Sequence, residues 1–308
     1  IVTSWFPEKE RASAIAVYTS GQFIGLAFLT PALILIQNQM GWRGLFIVSG
    51  IIGLVWALVW YTFYRDPQNH SSISESELAY LGQKKQSISS ITIEKKEQNF
   101  AMADLREAFI HRKLWGVYLG QFCLGSLFIF FLTWFPTYLV EFRGLDFIKS
   151  GFLASVPFLA AFVGVLLSGF TSDALVRKGY SNEFARKAPI LVGMFLSLSI
   201  IGANYTNNTT LIIFFLSLAF FGNGLASITW VFISLLSPKR LIGLIGGVFN
   251  FIGGLAAAIT PIVIGYLAKD GDFKPALLYI GALAFLGFCS YLFLVGKVER
   301  IEIKTEVN

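Results

Sequence analysis

The chain has 308 residues, 55% hydrophobic and 14% charged, with 24 Lys and Arg against 18 Asp and Glu for a formal charge of +6. A water-soluble particle of this length cannot hide so much apolar surface, so part of that surface must face lipid. Two cysteines exclude a disulfide scaffold, and the basic excess follows from membrane topology rather than from a nucleic-acid partner.

The chain opens Ile1-Val-Thr-Ser4 with no Met and no basic start ahead of an apolar region, so no signal peptide is visible and an upstream part is expected. Eight stretches then lack Asp, Glu, Lys, Arg and His altogether: 12–37, 44–64, 114–140, 150–171, 189–205, 211–236, 241–268 and 275–296. A hydrocarbon layer about 30 Å thick takes about 20 helical residues to cross, and only 189–205, with 17 residues, sits at the lower limit. None shows the polar–apolar alternation of barrel strands, so the class is an all-α membrane protein with eight transmembrane helices. Trp5, Trp42, Tyr64, Trp115 and Tyr138 fall near span ends, where amphipathic rings favour the headgroup layer.

Residues 65–113 form the one long polar segment and read as a linker. Its last part is amphipathic, with Phe100, Leu105 and Phe109 among Asp104, Arg106 and Glu107, and should lie on the inner membrane surface. The expected organisation is 1–64, the end of an N-terminal helical bundle with two spans; 65–113, the linker; 114–296, a six-helix bundle; and 297–308, a tail. Nineteen of the 24 Lys and Arg lie in the alternate segments 1–11, 65–113, 172–188, 237–240 and 297–308. The excess of basic residues marks these segments, and so both ends of the chain, as cytoplasmic in a multi-pass membrane protein.

Cys123 and Cys289 sit inside apolar spans with no His or carboxylate at ligand spacing, so no metal site is indicated. The Asn204-Tyr-Thr206, Asn207-Asn-Thr209 and Asn208-Thr-Thr210 triplets read as a polar turn. His70 and His111 both lie in the linker, and no glycine-rich phosphate loop is present, so neither an enzyme nor a cofactor is implied.

A shift of 231 residues places Pro7 on Pro238, Lys9 on Arg240, Arg43 on Lys274 and Gly50 on Gly281, with Pro31 and Pro261 one residue out of step. The first two spans thus resemble the last two. Parallel repeats joined by a long linker build transporters of two six-helix bundles, so the chain is expected to hold the last two helices of a first bundle and the whole of a second. Gly21, Gly25 and Pro31 of the first span, with Gly243, Gly246, Gly247, Gly253, Gly254, Pro261 and Gly265, suit either a rocking interface or plain close packing.

Trp5-Phe-Pro-Glu-Lys-Glu-Arg-Ala12, Gly41-Trp-Arg43 with Phe46 and Gly50, Phe131-Leu-Thr-Trp-Phe-Pro136, Phe184-Ala-Arg-Lys-Ala-Pro189 and Ser237-Pro238 together resemble the anion:cation symporter branch of the major facilitator superfamily. The nearest likeness is to bacterial glucarate and galactarate transporters, and it spans almost the entire chain. It implies a major facilitator fold and proton-coupled uptake of a sugar acid or related organic anion by alternating access, performed by a monomer that needs the bilayer, the anion and the proton but no cofactor. Gly169-Phe-Thr-Ser-Asp173-Ala-Leu-Val-Arg177 is similar to the superfamily's cytoplasmic loop between the second and third helices of a bundle. It assigns Gly169, Asp173 and Arg177 to gating: Gly169 for close approach, Asp173 facing a helix N-terminus or a basic partner.

Polar side chains at mid-span are costly without a purpose, and the candidates are Gln22, Gln121, Asn223, Ser227, Thr229, Trp230, Asn250 and Thr260. The resemblance implies that Gln22, Ser227, Trp230 and Asn250 contact the substrate. Amides and hydroxyls suit a polyol, and an indole covers its C–H face. Gly125, Ile129 and Leu235 depart from the Asn, Tyr and Asp usual in relatives, which leaves open a hexuronate, a galactonate, a less hydroxylated acid or a degenerate copy. No span carries a charge, so the coupling carboxylate and the cationic anchor are expected upstream, and the chain alone should enclose no complete cavity. The alternative is a non-transporting membrane protein or a truncated relic of such a transporter.

Overall fold

The computed structural model describes residues 2–7, 10–67, 70, 72–81, 102–145, 147–269 and 271–301. Lys9 and Phe100 of the sequence analysis lie outside the described residues. Twelve α-helices follow in chain order among them: α1 (Val2–Trp5), α2 (Arg11–Phe63), α3 (Glu75–Tyr80), α4 (Met102–Ile110), α5 (Arg112–Ile129), α6 (Phe135–Thr137), α7 (Phe147–Arg177), α8 (Asn182–Ser197), α9 (Thr209–Ala226), α10 (Trp230–Leu236), α11 (Ile242–Leu267) and α12 (Lys274–Cys289). Wide π-turns at Phe130–Trp134, Tyr138–Phe142 and Ser290–Leu294 and tight 3₁₀ turns at Leu198–Tyr205 and Ser227–Thr229 join or extend them.

Among the described residues, eight segments are long and apolar enough to cross a membrane: Ala12–Gln37, Gln39–Phe63, Arg112–Phe142, Leu153–Arg177, Asn182–Tyr205, Thr209–Leu236, Ile242–Leu267 and Lys274–Leu294. These are the eight expected spans, with one informative difference. The stretch read as 17 residues from 189 is 24 residues long, because the helix begins at Asn182, capped by the Ser181 hydroxyl. Its first turns carry Arg186 and Lys187, both buried, each satisfied by a carboxylate: Arg186 by Asp173, Lys187 by Glu183 at 2.9 Å. The presumed charge-free limit of the spans is therefore corrected, and so is the loop reading of 169–177, which forms the last turns of α7.

The first two spans run as one helical stretch that reverses at Gly41, whose φ of 68° lies in the left-handed region open to glycine. The second span returns alongside the first, so that Trp56 and Trp60 share a cleft with Ser13, Val17 and Tyr18. Most of its side chains are exposed, as a lipid-facing helix requires.

The first span packs on α7, α7 and α8 on α9, and α5 on α11 and α12. Where these helices meet, Phe220 stacks on Phe131 at 4.1 Å and takes the edges of Phe23 and Phe158 at 5.5 and 5.2 Å. Each such aromatic pair contributes about 0.5–1.5 kcal/mol beyond its area, so Phe23 ties the first span firmly to the six-span unit.

The linker is docked at both ends. On the first-span side, Leu78 of α3 is buried and the Tyr80 hydroxyl donates to Glu10 at 2.9 Å. On the other, α4 buries Asp104 and Ala108; Asp104 pairs with Arg240 in the turn that leads into α11, and the Tyr118 hydroxyl donates to the Ala108 carbonyl at 3.1 Å. Leu105 and Phe109 of the amphipathic segment stay exposed, the orientation a membrane-surface helix needs.

Candidate functional site

A cavity of about 380 Å³ opens between the first span and the six-span unit, within the range of about 300–1,000 Å³ typical of small-molecule sites. One wall is Tyr18, Thr19 and Gln22 of α2, which share a helix face by their spacing. The others are Gln121 to Ile129 of α5, Asn223 of α9, the Ser227–Thr229 turn, Trp230 and Gly253 of α11.

The 3₁₀ turn builds the most polar part. It interrupts α9 and α10 at Ile228, with ψ of 16°, and carries Ser227, Thr229 and Trp230 into the lining together. The Ser227 hydroxyl donates to the Gly224 carbonyl at 2.7 Å, and the Thr229 hydroxyl donates to Gln121 Oε1 at 3.1 Å. Asn223 Nδ2 donates to the Leu124 carbonyl at 3.1 Å, joining α9 to α5. The Trp230 indole is held edge-on by Phe249 at 4.9 Å. Gly125 packs closely on α11: a Cβ there would lie 3.1 Å from the Gly253 carbonyl oxygen, a tight contact.

Gln22, Ser227 and Trp230 thus line one cavity, as their chemistry suggests, and the structure adds Gln121, Asn223 and Thr229. Asn250 does not join them. Of α11, Gly253 lines the cavity and Phe249 lies buried behind the Trp230 ring, while Asn250 is exposed outside that lining; an apolar, glycine-rich helix gives no sequence cue to which face points inward. Thr260 is a packing residue, its hydroxyl donating to Ser126 at 2.9 Å across α11 and α5. Tyr18 and Thr19 also line it, four and three residues before Gln22 on the same helical face, a spacing the sequence does carry.

A second cluster lies at the linker-side end of the same two units. Asp173, fully buried, accepts from the Ser13 backbone N–H at 2.6 Å and pairs with Arg186 of α8. Ser13 is in the first turn of α2, where an N–H has no partner within its own helix, and a carboxylate there also meets the positive end of the helix dipole. Arg186 donates to the Ser172 hydroxyl at 3.1 Å as well, and Ser172 to the Ala185 carbonyl at 2.8 Å. Gly169 permits the approach: a Cβ would fall 2.2 Å from Ala16 Cβ and 2.7 Å from the Ala12 carbonyl oxygen. Asp173 therefore has both the helix terminus and the basic partner that were envisaged as alternatives. Arg177 stands apart, exposed in the cleft with Trp56 and Trp60. Arg186 was within a quoted motif, but its partner is invisible without the fold.

A sequence model of the Major Facilitator Superfamily matches residues 1–261. Among relatives in sequence, a D-galactonate transporter of Escherichia coli O6:H1 is 54% identical over 303 residues, 98% of this chain and 70% of that protein. A probable galactarate/D-glucarate transporter of Bacillus subtilis is 41% identical over 308 residues, 99% of this chain and 68% of that protein. In fold, the chain resembles the crystal structure of a major facilitator transporter, FucP, in the outward conformation, with a TM-score of 0.61 at 16% identity over 96% of this chain and 71% of that one.

Proposed function

The chain belongs to the major facilitator superfamily, and from that premise we propose that it forms part of a proton-coupled symporter that takes up a sugar acid by alternating access. It is a multi-pass membrane protein of a transporter family, not an enzyme. The observation that carries the proposal is the 380 Å³ cavity with uncharged polar walls, formed jointly by the first span and the six-span unit. A solute held there contacts both units, so their relative motion can open the site to either side.

In this reading Gln22, Ser227 and Trp230 hold the hydroxylated substrate, and Gly169 with Asp173 forms the contact that closes the cytoplasmic end, with both chain ends on that side. Sugar-acid transport is also what the two named relatives support, one an aldonate and the other an aldarate carrier by name. The test is uptake of radiolabelled galactonate and glucarate into energised cells expressing the complete protein, with and without a protonophore. Uptake that collapses with the protonophore is expected; uptake insensitive to it overturns proton coupling, and none at all overturns the transport reading.

A further inference from the structure

α10 has seven residues and a different task at each end. Its first residue, Trp230, lines the cavity. Its last, Leu236, stands about 9 Å further along the axis, at 1.5 Å per residue. The helix is bounded by a kink at one end, where Ile228 leaves helical geometry, and by extended chain at the other, Ser237 and Pro238. So short a helix has too few internal bonds to fix itself and relies on its neighbours. It also touches α2, across the seam between the two units.

The segment that follows the last span supplies the missing support. The chain turns at Gly296, whose φ is 58°, and runs to the linker-side end of α10. There the Ile301 backbone N–H donates to the Leu236 carbonyl at 2.8 Å, and Arg300 Nη2 donates to the Ser234 carbonyl at 3.1 Å. Both acceptors belong to the last turn of the helix, whose carbonyls have no partner within it. Val298 and Ile301 pack on the apolar core, and the Gly296 carbonyl accepts from Lys187 of α8. The tail is thus fastened to α8 at one point and to α10 at two.

We propose that residues 296–301 form a strap that fixes α10 and, through it, Trp230 in the cavity wall. Arg300 and the Ile301 amide are positioning residues: they touch no substrate and act on the site through two turns of helix. With the strap released, α10 shifts about the Ser227–Thr229 turn, its linker-side end opens, and Trp230 loses its place. The effect on uptake rests on the transport reading above; the hold of the tail on α10 does not.

The experiment places Ser237→Cys, a fully buried position at the end of α10, in the complete protein with Cys289→Ala, and follows its labelling by a membrane-impermeant thiol reagent from the linker side. Arg300→Leu with Ile301→Pro removes both donors and should speed labelling at least about tenfold, the scale of the two hydrogen bonds lost. Arg300→Lys with Ile301→Val keeps a cation and the amide and should restore the slow rate. Cys123, fully buried in α5, should stay unlabelled throughout. Unchanged labelling of position 237 overturns the inference, and so does equal labelling of Cys123, which would mean that the tail holds the whole fold rather than α10. In uptake of labelled galactonate, the released variant should show a KM raised several-fold and a maximal rate changed less. An unchanged KM beside faster labelling overturns the link to Trp230. Absence of uptake by the unsubstituted protein removes the transport reading, and the labelling still decides the strap.

Discussion

Trp230 and Asn250 are both polar-capable residues in apolar helices, and the fold separates them by one helical face. The Trp230 indole, held against Phe249, lines the cavity, whereas Asn250 is exposed on α11. Trp230→Ala is expected to weaken substrate binding by about tenfold, or ~1.4 kcal/mol, while Asn250→Ala changes it less than about twofold; competition binding on the purified complete protein measures both. The contrast also marks how far residues can be read from a sequence. Gln22, Ser227 and Trp230 stand out because polar groups are rare at mid-span, and rarity is visible in a string of letters. Facing is not: α11 is apolar or small nearly all round, so its inward side is decided by contact with Phe249 and Gly253 rather than by any periodicity. The same holds for Arg186, whose partner Asp173 stands on another helix.

At the level of elements, the spans were legible because the length of a membrane crossing constrains them strongly, and the one that came out short did so through paired charges that a charge-free criterion discards. The linker was legible in composition but not in attachment. α4 is fastened to the turn that leads into α11 through Asp104 and Arg240, so Asp104→Arg should release it and the double variant Asp104→Arg, Arg240→Asp should recover it; proteolysis near residue 104 reports both. α3 carries a capping box, in which the Ser74 hydroxyl accepts from the Glu77 N–H at 3.2 Å and Glu77 accepts from the Ser74 N–H at 3.0 Å. Those bonds hold the Glu77 carboxyl below its ordinary 4.5. A depressed carboxylate contributes stability that is present above its unfolded value and lost as pH falls through the folded one. The protection factor for amide exchange at the start of α3, taken against the intrinsic rate at each pH, should therefore be level above about pH 5 and fall under more acid conditions; Glu77→Gln should remove that dependence.

Across the whole molecule, the first span and the six-span unit meet at Phe23, at the cavity and at Gly169. Gly169→Val must push α2 off α7, because the neighbouring atoms include the Ala12 backbone carbonyl. Overpacking of this kind costs about 1–3 kcal/mol, all of it against the arrangement with the linker-side end closed. The variant should still insert, but a Ser13→Cys probe should label faster from the linker side with a membrane-impermeant thiol reagent, and uptake should fall. Unchanged labelling would show that this end opens by some other route.

Asp173 has two holders of unlike permanence. Arg186 belongs to its own unit and travels with it; the Ser13 amide belongs to the other and can leave. Stripping a buried carboxylate of all partners costs about 3–5 kcal/mol, a barrier few substrates could overcome in every turnover. Here parting forfeits one hydrogen bond, about 1.5–3 kcal/mol for a charged acceptor, since the guanidinium keeps the carboxylate neutralised throughout. The resident arginine turns what would be a lock into a detent, shallow enough for the binding of one small solute to tip it and deep enough to hold while the site stands empty.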